Sequence, residues 1–153
     1  MRSHLRCCGL SKGAFEESNC KLLLPTDRRT WIALSGTSYQ TAHCHKDKLC
    51  DLLVLWRLPS DALLALVIEL KSGALSADDV HGQLSKGAEI LNELLDGLKV
   101  SFLPLLVHGP MRATTVRQLD KPALRVRLNS KQSSKILPVR CGSTLDELLR
   151  RVL

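Results

Sequence analysis

Apolar residues along the chain fall into short uninterrupted runs, and in one long stretch they recur at helical spacing. Short runs rich in Leu, Val and Ile predict β-strands; they are Thr30–Leu34, Asp51–Trp56, Leu63–Lys71 and Val100–Val107. The long stretch, residues 76–98, begins with an N-cap pattern and predicts a helix of roughly five turns. Gly87 and Ala88 lie on its apolar stripe, so this helix is expected to pack close to a sheet.

Segments at both ends of the chain complete the predicted order of elements. Residues 12–24 predict a first helix, because their apolar positions cluster on one helical face and Pro25 follows. Residues 125–128 and 135–140 predict a β-hairpin, and residues 143–150 a short amphipathic helix. The predicted order is α-β-β-β-α-β, then a basic hairpin and a helix. It indicates a single α/β domain over residues 1–153, with a mixed central sheet flanked by helices.

Charged residues close the most apolar of the predicted strands. Glu69 and Lys71 are two residues apart, so in a strand both side chains leave the same face. Asp51 begins the preceding strand, and hairpin pairing of the two strands would bring its carboxylate to the same place. Two carboxylates and a lysine suit Mg²⁺ and the hydrolysis of a phosphodiester. The alternative is that Glu69 and Lys71 are ordinary exposed residues where the strand reaches solvent.

Asp51 followed by Glu69-Leu70-Lys71 resembles the motif of the PD-(D/E)xK nuclease superfamily, which has the restriction-endonuclease-like fold. The residue before the first acid is commonly Pro in that family and is Cys50 here. The predicted order of elements is also similar to the αβββαβ core of the family. The resemblance therefore spans nearly the whole chain, although it depends on three motif residues.

Two flanking residues extend the resemblance. Gly13-Ala14-Phe15-Glu16 is similar to the first-helix motif of Mrr-like members, whose glutamate approaches the metal site from that helix. Gln83 resembles a glutamine that some branches carry beside the active site on the helix after the motif. The alternatives are a solvated helix acid for Glu16 and a polar residue flanking the core for Gln83.

The resemblance implies an endonuclease that depends on Mg²⁺ or Mn²⁺. Asp51, Glu69 and the Leu70 main-chain carbonyl would hold the ion, aided by Glu16. Lys71 would orient the nucleophile and add positive potential, and a lysine beside two carboxylates should keep its proton. The catalytic set implied is Asp51, Glu69, Lys71, Glu16 and Gln83.

DNA is favoured as the substrate, and the family association suggests a role in defence against foreign DNA. Little beyond the core fold is left to read bases, so low sequence specificity or a targeting partner is expected, and cleavage of both strands would be simplest for a homodimer. Two alternatives keep the same fold without cleavage: a catalytically silent nucleic-acid-binding module, and a module that docks on a partner protein. The presence of all three motif residues favours the enzyme.

The chain has a net charge of +7, and its positive charge is concentrated in one segment. Residues 111–140 contain eight basic residues and one acid, Asp120. Alternation from Arg125 to Leu128 places both arginines on one strand face, away from the apolar residues. The predicted contacts to a phosphate backbone are Arg125, Arg127, Lys131 and Lys135 of the hairpin, with Lys86 of the long helix. The alternative is a basic surface that faces nothing in particular.

Further sequence features concern the cellular compartment, the state of the cysteines and a candidate zinc site. The apolar stretch 52–70 is interrupted by Arg57, Pro59 and Asp61, which excludes a membrane span, and no secretory signal is visible. A cytoplasmic protein is predicted, with its six cysteines as reduced thiols. Three potential zinc ligands lie close together, but a fourth is not evident and a polar loop is the alternative; they are His43, His45 and Cys50.

Overall fold

The computed structural model describes residues 13–25 and 30–152. The strands are β1 (Ala14–Glu17), β2 (Cys20–Leu23), β3 (Trp31–Ser35), β4 (Leu52–Arg57), β5 (Leu63–Lys71), β6 (Ser101–His108), β7 (Val126–Asn129), β8 (Gln132–Ser134) and β9 (Leu137–Arg140). The helices are α1 (Gly36–Ala42), α2 (Ala77–Leu95), α3 (Ala113–Leu119) and α4 (Leu145–Val152), with a 3-10 turn at Pro122–Leu124. None of the helices in these ranges is long and apolar enough to cross a membrane.

Five strands form one mixed sheet in the order β3-β4-β5-β6-β9. β3, β4 and β5 are antiparallel neighbours, whereas β6 and β9 run parallel to β5. The predicted succession of three antiparallel strands, a long helix and a parallel strand is therefore confirmed. These strands are apolar on both faces because the sheet is covered on both sides.

α2 covers one face of the sheet at close range. A Cβ atom added at Gly87 would lie 2.2 Å from Cys50 Sγ, so only glycine allows this approach, as the small residues in the stripe predict. Leu84 and Ala88 are fully buried against Leu53 and Val67 of the sheet. The β7–β8 hairpin packs over α2 and adds its own apolar side chains to this core.

A β-hairpin and α4 cover the opposite face. The hairpin is β1–β2, so the helix predicted over residues 12–24 is wrong. Ser18 and Asn19 have positive φ angles of 47° and 66° and form the two-residue turn. Cys20 and Leu22 are buried and Lys21 is exposed, which is the period of a strand. A disulfide between Cys20 in β2 and Cys141, in the segment that precedes α4, joins the hairpin to the C-terminal part of this layer.

That disulfide corrects the prediction that all the cysteines are reduced. Cys44 and Cys50 are free thiols, and Cys7 and Cys8 lie outside the described residues. The contact between β2 and the segment that precedes α4 also includes a backbone bridge between Leu23 and Thr144.

The C-terminal part differs from the prediction in its pairing. β7 pairs with β8 through a turn at residues 130–131, so the hairpin is shorter than predicted. β9, predicted to return along β7, instead joins the central sheet beside β6. The short helices α1 and α3 were not predicted, since seven residues are too few to show a clear helical period.

Candidate functional site

The three motif side chains meet at one end of the β4–β5 pair. Leu52 pairs with Ile68, so Asp51, the residue before β4, lies opposite Glu69. Asp51 Oδ2 accepts a hydrogen bond of 2.7 Å from the Leu70 amide. Lys71 Nζ lies 2.6 Å from Glu69 Oε1. The structure therefore brings these residues together, as strand alternation and hairpin pairing predict.

Glu69 is an unusual residue because its carboxylate is buried almost completely. The exposed fraction of its side chain is 1%, against 24% for Lys71. Apart from the ion pair with Lys71, neither carboxylate oxygen has a well-formed hydrogen bond among the described residues. Buried polar atoms are nearly always partnered, so this carboxylate has the capacity to accept a further donor or a cation.

Burial also changes the ionisation of both acids. It raises the pKa of Glu69 to about 7, with a further contribution from the negative charge of Asp51 and partial compensation by Lys71. Burial likewise raises the pKa of Asp51, although the hydrogen bond from the Leu70 amide opposes the change. Burial therefore opposes ionisation of both of these facing carboxyl groups.

Lys71 responds in the opposite way. Burial alone would lower its pKa, but the hydrogen bond and charge of Glu69, with the charge of Asp51, raise the pKa above its usual value. Lys71 is therefore an ammonium cation at neutral pH, as its position beside two carboxylates predicts.

Backbone contacts fix Asp51 at this end of the sheet. The Gly36 amide donates to the Asp51 carbonyl at 2.8 Å. A Cβ atom on Gly36 would lie 1.8 Å from the Cys50 carbonyl oxygen, so α1 can begin here only with glycine. Asp51 is thus held through its main chain by α1 and through its side chain by Leu70.

Asp51 and Lys71 line a cleft of about 270 Å³, hereafter the Asp51 cleft. It opens beyond the carboxyl end of β5, which neighbours the carboxyl end of the parallel strand β6. Ligands of α/β sheets characteristically bind outside the carboxyl ends of parallel strands. Other residues that line the Asp51 cleft are Glu17, Lys48, Leu70 and Gly73.

The structure does not bring Glu16 to this cleft. Glu16 is exposed on β1 and pairs with Lys21 across the hairpin. Its neighbour Glu17 lines the Asp51 cleft instead, and the charge of Glu17 contributes to the raised pKa of Asp51. Sequence reasoning missed Glu17 because it assumed helical geometry. The turn-forming pair Ser18-Asn19 was the signal for a strand.

Gln83 and Lys86 line a neighbouring cleft of about 640 Å³, hereafter the Gln83 cleft, which shares Lys48 and Lys71 with the Asp51 cleft. Gln83 is buried, and its Nε2 donates to the Leu49 carbonyl at 3.4 Å. Lys86 Nζ lies 3.0 Å from Glu89 and 3.7 Å from Asp47. Lys48, a shared residue of both clefts, has no motif spacing that sequence reasoning could use.

The basic hairpin lies apart from the clefts described above. Arg125 and Arg127 are exposed, and Arg125 Nη2 donates to the Ser133 carbonyl at 3.1 Å within the hairpin. Lys135 lies 3.5 Å from Asp120, and Lys131 is exposed at the turn. None of these four residues lines the Asp51 or the Gln83 cleft.

The predicted zinc ligands do not converge. Cys50 is fully buried beneath Gly87, and burial raises the pKa of its thiol. His43 stacks on Tyr39, with ring centroids 4.2 Å apart, and His45 is exposed. Within residues 13–25 and 30–152, no group of three or more His, Cys, Asp and Glu side chains is arranged to hold a metal ion.

Neither the protein-family models nor the curated proteins and solved structures compared with the chain gave a match.

Proposed function

We propose that the chain is a metal-dependent nuclease of the PD-(D/E)xK type that hydrolyses phosphodiester bonds. The observation that supports this most strongly is the arrangement of Asp51 opposite Glu69-Leu70-Lys71, in which Asp51, Leu70 and Lys71 line a cleft and Glu69 is buried behind it. A buried carboxylate that lacks a full set of partners gives the proposal its chemical basis.

The donor set fits Mg²⁺ or Mn²⁺. Mg²⁺ in enzymes is usually held by one or two carboxylates and keeps several waters or substrate phosphates, so a cage of three protein ligands is not required. Asp51 and Glu69 supply the two carboxylates, and the main-chain carbonyl of Leu70, the residue after Glu69, is the third oxygen donor that the family resemblance implies. Glu17 is the further acid that lines this cleft. When bound, the ion would supply an activated water at neutral pH and charge compensation for the phosphate.

The chain's own residues would prepare the reaction in two ways. The Lys71 ammonium would neutralise Glu69 in the resting protein and orient both the attacking water and the scissile phosphate. The Leu70 amide would hold the Asp51 carboxylate in one orientation, so that little rearrangement is needed when substrate arrives. Lys71 acts in this scheme through its charge, because its raised pKa makes it a poor general base.

The family resemblance favours DNA as the substrate, with low sequence specificity and a role in defence. Cleavage of both strands would require a homodimer or a targeting partner that presents each strand to an Asp51 cleft.

A cleavage assay tests the proposed function. Wild type, Asp51→Asn, Glu69→Gln and Lys71→Met would be incubated with plasmid, linear duplex and single-stranded DNA and with RNA, in Mg²⁺, Mn²⁺ or EDTA. We expect metal-dependent cleavage by wild type and a loss of roughly 100-fold or more in each variant, because each removes charge that stabilises the transition state. Glu93→Gln, an exposed acid on α2, is the matched control and should retain full activity.

Two outcomes would contradict the nuclease. Cleavage that persists in Glu69→Gln and Lys71→Met would remove these residues from the mechanism. Nucleic-acid binding by wild type without cleavage under any condition would favour the catalytically silent binding module on the same fold.

A further inference from the structure

A third cleft, of about 560 Å³, adjoins the Asp51 cleft. Its walls are the segment that follows β5, represented by Gly73 and Leu75, and the segment that follows β6, represented by Met111 and Arg112. Gly73 lines both this cleft and the Asp51 cleft, and Leu75 lines both this cleft and the Gln83 cleft, so this cleft adjoins the other two. We call it the Arg112 cleft.

The position of the Arg112 cleft suits an extended ligand that also reaches Asp51. Its walls follow two adjacent parallel strands, whose carboxyl ends are joined by a hydrogen bond of 2.9 Å from the Gly109 amide to the Lys71 carbonyl. A Cβ atom added at Gly73 would meet no other atom within 4 Å, so the passage between the two clefts is open. A chain-like ligand can therefore lie across Gly73 without rearrangement of the backbone.

The charges that line the clefts indicate a phosphate backbone. Arg112 is exposed, and no acid is among the described residues that line its cleft. Thr114 and Thr115 add hydroxyl groups to the same wall. On the other side of Gly73, Lys48 is exposed and forms no salt bridge within the described part of the chain. Lys71, in contrast, already pairs with Glu69.

The Gln83 cleft differs from the Arg112 cleft because it is lined by three acids, Asp47, Asp78 and Asp79. Of its three cations, Lys48 and Lys71 are shared with the Asp51 cleft, and Lys86 is paired with Asp47 and with Glu89 outside the lining. A phosphate backbone would face three acids there, whereas the other path offers Arg112 in a cleft lined by no described acid, and Lys48 beside Asp51 and Glu17.

We infer that a nucleic-acid strand lies across the Arg112 cleft and Gly73 into the Asp51 cleft, with Arg112 and Lys48 contacting phosphates on either side of the scissile bond. This inference rests on the proposed function and specifies its substrate path. It assigns the main phosphate contacts to two residues outside the basic hairpin, and it leaves Lys86, Arg125 and Arg127 with little part in binding.

Binding without cleavage tests the path. Fluorescence anisotropy of labelled single-stranded and duplex DNA would be measured in EDTA across a salt series. We expect Lys48→Ala and Arg112→Ala each to weaken binding roughly five- to tenfold at low salt and to make the salt dependence shallower by about one phosphate contact. Lys86→Ala and the double variant Arg125→Ala/Arg127→Ala are matched controls and should stay within about twofold of wild type.

A footprint on the wild-type protein gives a second measurement that does not depend on the folding of variants. Lysines would be acetylated with and without DNA in EDTA, and the extent of modification at each position read by mass spectrometry. We expect DNA to protect Lys48, with Lys86 in the same molecule unprotected.

Three results would overturn the path: no DNA binding by wild type, unchanged binding by Lys48→Ala and Arg112→Ala, or a larger loss in the hairpin variant than in these two. Because the assay needs neither metal nor cleavage, failure of the path is distinguishable from failure of the nuclease. A protein that binds along the path and does not cleave would keep the path and refute the enzyme. Cleavage by wild type, together with unchanged DNA binding by Lys48→Ala and Arg112→Ala, would support the enzyme and refute the path.

Discussion

The buried carboxylate of Glu69 lowers the free energy of unfolding when it ionises, unless a bound ion or substrate compensates its charge. Its carboxylate is buried with one ammonium nearby and a second carboxylate opposite, and its pKa is raised to about 7 as a result. A group of this kind destabilises the folded protein whenever it must ionise. Such residues are typical of functional sites, where a bound ion or substrate compensates the charge.

The raised pKa predicts how stability depends on pH. Between the usual value of 4.5 and about 7, the folded protein holds a proton on Glu69 that the unfolded chain has released. The contribution of Glu69 to the free energy of unfolding is therefore fully present below pH 4.5. It is lost as the pH rises through about 7, a decrease of about 3 kcal/mol in total. Urea unfolding at a series of pH values should show a larger decline in wild type than in Glu69→Gln, which keeps only the raised pKa of Asp51.

A divalent ion should reverse the decline. A bound cation favours the ionised carboxylate, so Mg²⁺ should stabilise wild type more above pH 7 than at pH 5 and should have little effect on Glu69→Gln. An equal response of the two proteins to Mg²⁺ would mean that Glu69 does not take part in holding the ion.

At the scale of elements, the β1–β2 hairpin decides which acid reaches the site. Neighbouring residues on a strand point to opposite faces, so Glu16 and Glu17 cannot both line the Asp51 cleft. The two-residue turn fixes the register, with Glu17 opposite Cys20 and Glu16 opposite Lys21. A shift by one residue would exchange the two acids.

Glu17→Gln and Glu16→Gln form a matched pair that tests this placement. The charge of Glu17 helps to raise the pKa of Asp51, so its removal should lower that pKa. For the proposed nuclease, we expect the acid limb of the pH–rate profile to move to lower pH by up to about one unit in Glu17→Gln. Glu16→Gln should leave the profile unchanged. Equal shifts in both variants would indicate a general effect of surface charge.

At the scale of the whole molecule, one covalent bond connects the two ends of the described fold. Cys20 in β2 and Cys141 after β9 are 121 residues apart in sequence. The loop closed by this bond contains the whole central sheet, so the bond restricts the unfolded chain strongly. It also weighs against a reducing cytoplasm as the site of action, because structural disulfides persist mainly in oxidising compartments.

Loss of this bond should lower stability substantially. We expect the double variant Cys20→Ser/Cys141→Ser to unfold with a free energy smaller by about 3 to 5 kcal/mol, the range for a long closed loop. Cys44→Ser, an exposed free thiol, is the control and should change stability by less than about 0.5 kcal/mol. Urea unfolding with and without reductant measures both, and a wild type insensitive to reductant would show that the two thiols are reduced in solution.

The sequence alone determined four of the five strands of the central sheet, all but β9, and the pairing of its charged residues. Apolar runs of strand length are local signals, and burial on both faces made them continuous and easy to recognise. Strand alternation then required Glu69 and Lys71 to share a face. The short connection after β4 brought these two residues, at the end of β5, back beside Asp51. These inferences needed only the geometry of one hairpin.

Only the tertiary structure decided the rest. Residues 14–23 carry apolar positions compatible with either period, and contact with α4 and the disulfide favours the hairpin over a helix. β9 joins β6 rather than β7 because a free edge of the sheet lies within reach, which local sequence does not reveal. Glu17 and Lys48 meet around Asp51, and Arg112 lines the adjoining cleft, through the packing of segments distant in sequence, which leaves no periodic pattern in the chain.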